Sequence, residues 1–279
     1  MAMRASQRER VEGGVFLRIW CGLVFLFLFA PIAILILTSF TAGETVAFPP
    51  VKYSLRWYGK VLDHLRNVPG IKPDLAGVFL VSLRVAILAA LGSAIAGVLA
   101  AYGLHRYRFR GIALVRQFFL VPLMFPQIVT GVALLVWFSQ VPALGLFTRL
   151  VLGHLVLTLP YVIITVSATL EATGVDLEEA AIGLGASRAR AFVLVTLPLI
   201  RQGVIAGSIF GFIISMNTFT LSYFLYSVDA KPLPMWIFEY MAYFLDPTLA
   251  AIRSVLILLT LLVAVTLNRL VGISRLAAR

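Results

Sequence analysis

Residues able to do chemistry are few in this chain, and they are scattered. Cys21 is the only cysteine, which leaves no intrachain disulfide and no thiolate metal site. His64, His105 and His154 lie far apart without ligand-type neighbours, so they are expected as loop or interface residues, and no metal site is expected. No clustered nucleophile or acid–base pair stands out. No G-x-x-x-x-G-K-[ST] phosphate loop occurs, since the nearest approach, Gly59-Lys60, is followed by Val61. Two kinds of polar feature remain. One is the stretch LEEAAIGLGASRARAFVLVTLPLI from Leu177 to Ile200, with two carboxylates, paired alanines and two arginines in an otherwise apolar chain. The other is a set of polar groups inside apolar runs: Arg84, Gln127, Thr130, Asn217, Thr218 and Tyr223. Unpaired polar groups are costly in hydrocarbon, so these should face protein or water, as the wall of a solute path would require.

The elements that must position them are set by composition. Of 279 residues, 61% are hydrophobic and 13% charged, with a mean hydropathy of +1.00. Several runs reach the roughly 20 apolar residues that span a bilayer core. An all-α polytopic membrane protein is expected, with about six spans near 17–40, 77–104, 113–138, 148–170, 202–226 and 249–271. The net charge of +11 is unevenly placed. Segments 1–18, 105–116, 171–201 and 269–279 hold 14 basic residues against six acidic ones. That asymmetry is the positive-inside rule and calls for no nucleic acid. It sets both termini in the cytoplasm, with tails 1–18 and 273–279. The run from Ile19 to Leu37 is read as a retained anchor and not as a signal peptide. Residues 41–76 form an outer segment with a short helix near 54–66, and 77–272 form the core.

Two spans are unusual. The third carries Pro122 and Pro126, followed by Gln127 and Thr130. Each proline removes a helix hydrogen bond and crowds the preceding turn. The run reads either as a packed kink or as a broken segment lining a path. The fifth carries Gly203, Gly207, Gly211 and Ser215, a stripe that lets another backbone approach closely, in this chain or in a partner. Beyond the stripe lies polar SMNTFTLSYF. Arg84 sits about two turns deep, where it either snorkels, pairs with an outer carboxylate or serves the path.

The Leu177–Ile200 stretch reads as a short helix. Asp176 and Glu179 give a D-x-x-E start. Leu177, Ala180, Ala181 and Leu184 then share one apolar face. Gly183 and Gly185 stop the helix, Ser187 caps a second, and Leu197-Pro198 leads into the fifth span. Small alanines beside glutamates suit a close-fitting protein groove better than lipid.

Glu179-Ala180-Ala181, three residues, Gly185, nine residues, Val195, one residue and Leu197-Pro198 resembles the EAA signature of bacterial ATP-binding-cassette importer permeases. Val195 stands where that signature has isoleucine. The likeness runs from about residue 77 to 270 and is similar to the type I permeases of the spermidine/putrescine-like group, with opine-, iron- and phosphonate-type relatives. The resemblance implies the MetI-like fold, with a coupling loop at 171–201. It also implies docking of a cytoplasmic ATP-binding subunit dimer on Glu179, Ala180, Ala181 and Gly185, with Glu178 adjacent. ATP and Mg would be bound by that ATPase and no cofactor by this chain, which would be a non-catalytic transport subunit. A second, homologous permease subunit, a periplasmic solute-binding protein and a multi-pass place in the inner membrane are implied likewise. The implied cargo is a small solute, a polyamine first. Polyamine-type relatives often carry acids where this chain has neutral Met216-Asn217-Thr218, with Tyr223 nearby. The alternative is a secondary transporter or channel. It would need a membrane-embedded carboxylate, and none sits centrally in any expected span.

Overall fold

In the computed structural model residues 2–65, 75–244 and 246–271 are described. The expected tail 273–279 and the part of the outer segment at 66–74 lie outside them. The elements run α1 (Ala2–Ser39), α2 (Arg56–Leu65), α3 (Leu75–Arg106), α4 (Ile112–Met124), α5 (Gln127–Ser139) and α6 (Leu146–Thr173). There follow α7 (Asp176–Gly183), α8 (Arg188–Ala191), a π turn (Phe192–Thr196), α9 (Leu197–Asn217), α10 (Thr220–Leu225), α11 (Leu233–Tyr243) and α12 (Thr248–Val271). Among the described residues the only β pairing is an isolated bridge, Thr41 to Tyr53.

Among the described residues four helices are long and apolar enough to cross a membrane: Val15–Ser39, Leu75–Arg106, Leu146–Thr173 and the continuous run Arg188–Asn217. The pair α4 and α5 adds a fifth if it is counted as one span, although it is bent by 107°. The bend falls at Phe125-Pro126, after which Gln127 opens α5, whereas Pro122 is tolerated inside α4. The expected fifth span is also interrupted. It ends at Asn217, with Thr218 extended, and resumes as α10. The first helix is longer than expected, because its backbone continues through the anticipated tail to Ala2.

The chain divides into two compact units, residues 1–66 with 240–261 and residues 67–239 with 262–279. In the first, Val15–Phe29 is exposed throughout, as suits a helix whose solvent is lipid. Trp57 of α2 is buried beneath the cations of Arg56 and Lys60, 4.5 and 5.1 Å from its ring. Lys60 Nζ donates to Asp246 at 2.5 Å, and Tyr240 donates to the same carboxylate.

In the second unit α3, α6 and α9 pack as three mutually touching helices. One core gathers Val98, Ala101, Val162, Val166, Leu170 and Ile200. Another gathers Val85, Phe138, Leu150, Leu157, Leu221 and Leu225. The glycine stripe of α9 is spent inside the chain. A Cβ on Gly203 would stand 2.9 Å from the carbonyl of Thr165, one on Gly207 2.9 Å from Val162 Cα, and one on Gly211 3.3 Å from Thr158 Cβ. Thr165 and Thr169 turn their hydroxyls back to carbonyls of their own helix, at 3.0 and 2.8 Å, so no donor is stranded in the seam. Ser93 of α3 meets Thr158 at 2.6 Å.

Overpacking such a seam costs about 1–3 kcal/mol. Gly207→Ala should therefore lower the thermal unfolding midpoint of the purified protein. Gly103→Ala, where nothing lies within 4 Å of the new Cβ, should leave the midpoint unchanged or raise it.

Candidate functional site

The loop between α6 and α9 builds the site around α7. Its N-terminus lacks the expected reciprocal cap: the flanking residue is Val175, and no side chain satisfies the first amides. The three acids of the first turn act there through the helix dipole instead. Its C-terminus is a Schellman turn. Ala186 N–H donates to Ala181 O at 3.1 Å, and Gly185 N–H to Ile182 O at 2.9 Å. Gly185 has φ +94, which an L-residue adopts only with strain. Gly185 therefore carries the stop, and Gly183 is simply the last helical residue. Ser187 caps α8 as its spacing predicts, accepting from Arg190 N–H at 3.3 Å.

The expected apolar face of α7 is open. Leu177 is 57% and Leu184 91% exposed, with Glu179 and Ala180 exposed and Ala181 half-buried beside them. Glu178 departs from its expected place with that group, because it is turned inward and only 6% exposed. Tyr102 Oη donates to its Oε1 at 2.6 Å. Arg106 donates to Oε2 through Nη2 at 2.6 Å and Nε at 3.1 Å. Thr196 Oγ1 donates to Oε2 as well. Burial alone would push this carboxyl upward, but the bonds from Thr196, Tyr102 and Arg106 outweigh it and hold the pKa below the usual glutamate value. Phe192 packs tilted against Tyr102, with ring centroids 4.6 Å apart, beside the cluster.

The π turn explains how Thr196 arrives. Pro198 has no N–H, and its ring would crowd the carbonyl of Leu194 in a regular helix. The wider turn just before it relieves that crowding and sets Thr196 on the buried side.

The expected path residues fall at the two helix breaks. Gln127 is exposed at the head of α5, and Thr130 is half-buried one turn later. Thr130 lines a cavity of about 470 Å³ on the inner side of the α4–α5 bend, with Phe119, Pro122, Phe125, Leu134 and Leu159. Asn217 is exposed at the end of α9, where its Nδ2 donates to Ile213 O at 2.8 Å. Thr218 is buried and donates to Ile214 O at 2.7 Å. Tyr223, 47% exposed, joins a ring cluster with Phe219, Phe224 and Phe238. The two breaks are neighbours, since a Cβ on Gly131 of α5 would stand 2.6 Å from Cδ2 of Phe224 of α10. Arg84 is exposed on α3 and forms no ion pair among the described residues.

A break-and-bend bundle of this kind, carrying a short capped helix on a long loop, has relatives. The family model for the binding-protein-dependent transport system inner membrane component matches residues 93–274, which is more than half of the chain. The chain belongs to this family. It is a multi-pass membrane protein and a permease subunit of an ATP-driven importer. The putrescine transport system permease protein PotI of Escherichia coli (strain K12) is 30% identical over 242 residues, covering 84% of this chain and 82% of that protein. The spermidine/putrescine transport system permease protein PotC of Haemophilus influenzae is 31% identical over 242 residues, covering 87% and 91%. A bacterial ABC transporter involved in the import of the acidic polysaccharide alginate has a chain of the same fold. Its TM-score is 0.67 at 18% identity, covering 92% of this chain and 95% of that one.

The sequence reading missed the partners of Glu178. Arg106 stands there only as one of the positive-inside charges, Tyr102 as a residue of the second expected span, and Thr196 as a residue of the 171–201 loop with no role. The available signal was a carboxylate lying off the apolar face of a short helix while Arg106 ended a span. His154 was missed too. Expected at a loop or interface, it is fully buried and bridges Ser215 at 2.7 Å and Ser222 at 3.0 Å, on either side of the break between α9 and α10.

Because the folded pKa of Glu178 is depressed, its contribution to stability is complete above the ordinary glutamate value of 4.5 and is lost as pH falls through the folded value. The gap in unfolding midpoint between the wild type and Glu178→Gln should therefore stay constant from neutral pH to about pH 5 and close only below the ordinary glutamate range.

Proposed function

We propose that this permease forms half of the translocation pathway of a polyamine importer in the cell inner membrane, driven by a cytoplasmic ATPase subunit seated on α7. The observation that carries the reading is the open face of α7. Leu177, Ala180, Ala181 and Leu184 are apolar and small in the middle, and all but the half-buried Ala181 stand uncovered on a helix closed by Gly185. A membrane surface would favour bulkier anchors there, whereas two alanines admit a close-fitting protein wall. Glu179 and Gly185 border the same face. ATP and Mg would be held by the ATPase dimer, and a second permease chain would complete the path. A periplasmic binding protein would deliver the solute.

The similarity to putrescine and spermidine/putrescine permeases supports a polyamine cargo. The exposed rings of Tyr223 and Phe238 add physical support, because an alkylammonium is attracted to an aromatic face. Neutral Asn217 and Thr218 leave a counter-charge to be supplied by the other subunits. The secondary-transporter alternative has no observation in its favour.

A tryptophan forced into a close-packed contact costs about 1–3 kcal/mol, roughly 5- to 150-fold in affinity. Ala180→Trp should therefore reduce co-purification of the ATPase subunit by that order while membrane insertion stays normal. Undiminished co-purification would remove α7 as the seat. For the cargo, uptake of labelled putrescine into proteoliposomes holding the full transporter should be competed by spermidine. Absence of putrescine uptake under conditions where another solute class is taken up would overturn the polyamine assignment.

A further inference from the structure

The loop that carries α7 has a glycine of positive φ at each end. Gly174, with φ +71, follows α6, and Gly185, with φ +94, follows α7. Left alone, these two glycines would let α7 swing without moving the membrane helices. The Glu178 cluster crosses both glycines. Across the first, Arg106 Nη2 donates to the carbonyl of Gly174 at 3.4 Å while it grips Oε2 of Glu178. Across the second, Thr196 of the π turn donates to that same oxygen from 18 residues further on. Tyr102 takes Oε1, so both carboxylate oxygens are occupied.

We infer that Glu178 is a positioning residue whose carboxylate locks α7 to the end of α3 and to the head of the α9 helix, so that a displacement of α7 moves both spans together instead of being absorbed at Gly174 and Gly185. The inference rests on the reading that an ATPase subunit seats on α7. Glu178 does not reach the surface that such a subunit would meet, since its carboxylate is buried against Tyr102, Arg106 and Thr196. Its role is to stiffen the linkage. The grip depends on charge and on directed donors alike. Glutamine at 178 would keep the shape but lose the ion pair and set an amide against donors. Valine at 196 would keep the volume and remove a single bond.

The test uses the complete transporter in lipid vesicles, with this chain as Glu178→Gln, Thr196→Val or Arg106→Lys. Three quantities are read: ATPase subunit recovered per permease, stimulation of ATP hydrolysis by loaded binding protein, and solute imported per ATP hydrolysed. Recovery of the ATPase should match the wild type. Stimulation should weaken and import per ATP should fall by roughly tenfold in Glu178→Gln, with smaller losses in Thr196→Val and in Arg106→Lys, which keeps the charge. Import per ATP unchanged in Glu178→Gln would reduce the cluster to packing and overturn the inference. Should Glu178→Gln fail to assemble, Thr196→Val decides alone, since it leaves the Arg106 pair intact. Coupling lost with normal recovery supports the inference, and normal coupling overturns it. Loss of ATPase recovery in Thr196→Val would also overturn it, because the cluster would then be shaping the docking face. Failure of the docking reading itself is separable, because it shows as normal ATPase recovery in Ala180→Trp.

Discussion

A carboxylate withdrawn from water survives only where its lone pairs are answered, and Glu178 is such a group. Its requirements reach into three stretches of the chain. α3 must run past its apolar length so that Tyr102 and Arg106 arrive on one side. The helix that becomes α9 must widen into a π turn so that Thr196 arrives from the other. α7 must lie between them with its acid inward. Once these conditions hold, Leu177, Ala180 and Leu184 of α7 are left facing outward, with Ala181 half-buried at their edge. One charge, Glu178, lies inside while Leu177, Ala180 and Leu184 lie outside, an arrangement that suits the protein partner proposed for this side.

What lies beyond the cluster packs as one piece. α6 is the common neighbour of α3 and α9. The contacts are backbone-close at Gly97, Gly203 and Gly207, where side chains would keep the helices apart. Ser93 with Thr158, and His154 with Ser215 and Ser222, fix the register by hydrogen bonds that a sliding helix would break. The irregular backbone is gathered elsewhere, at Phe125-Pro126 and at Thr218-Phe219, on elements that pack through Gly131 and Phe224. In the proposed reading rigid helices would carry the motion and broken ones would line the route, which is the division of labour an alternating-access permease needs.

Much of this was legible in the residues. Hydropathy announced the long helices, Pro126 announced the break before Gln127, and the spacing from Glu179 to Pro198 announced the loop and its family. Glycines every fourth residue announced a close helix contact, although only the structure names α6 as the partner. Three things were hidden. A periodic apolar face reveals which residues match one another, not which side is covered, so Glu178 was grouped with its exposed neighbour Glu179. Thr218 reads as helical by hydropathy, yet it is extended, and nothing in the run of polar residues marks where the ladder stops. The π turn follows from tertiary packing around Thr196 combined with Pro198, and no local periodicity encodes it.

The most direct measurement follows α7 against α3 through the nucleotide cycle. Cys21 is the only native cysteine, so Cys21→Ser clears the background for paired spin labels at Asp176→Cys and Tyr107→Cys, both exposed positions next to the cluster. If Glu178 ties α7 to α3, the label-to-label distance in the assembled transporter stays the same with and without ATP, and it broadens when Glu178→Gln is added. A distance that shifts with ATP in the otherwise native protein would mean that α7 swings on its glycines, and the account would be contradicted.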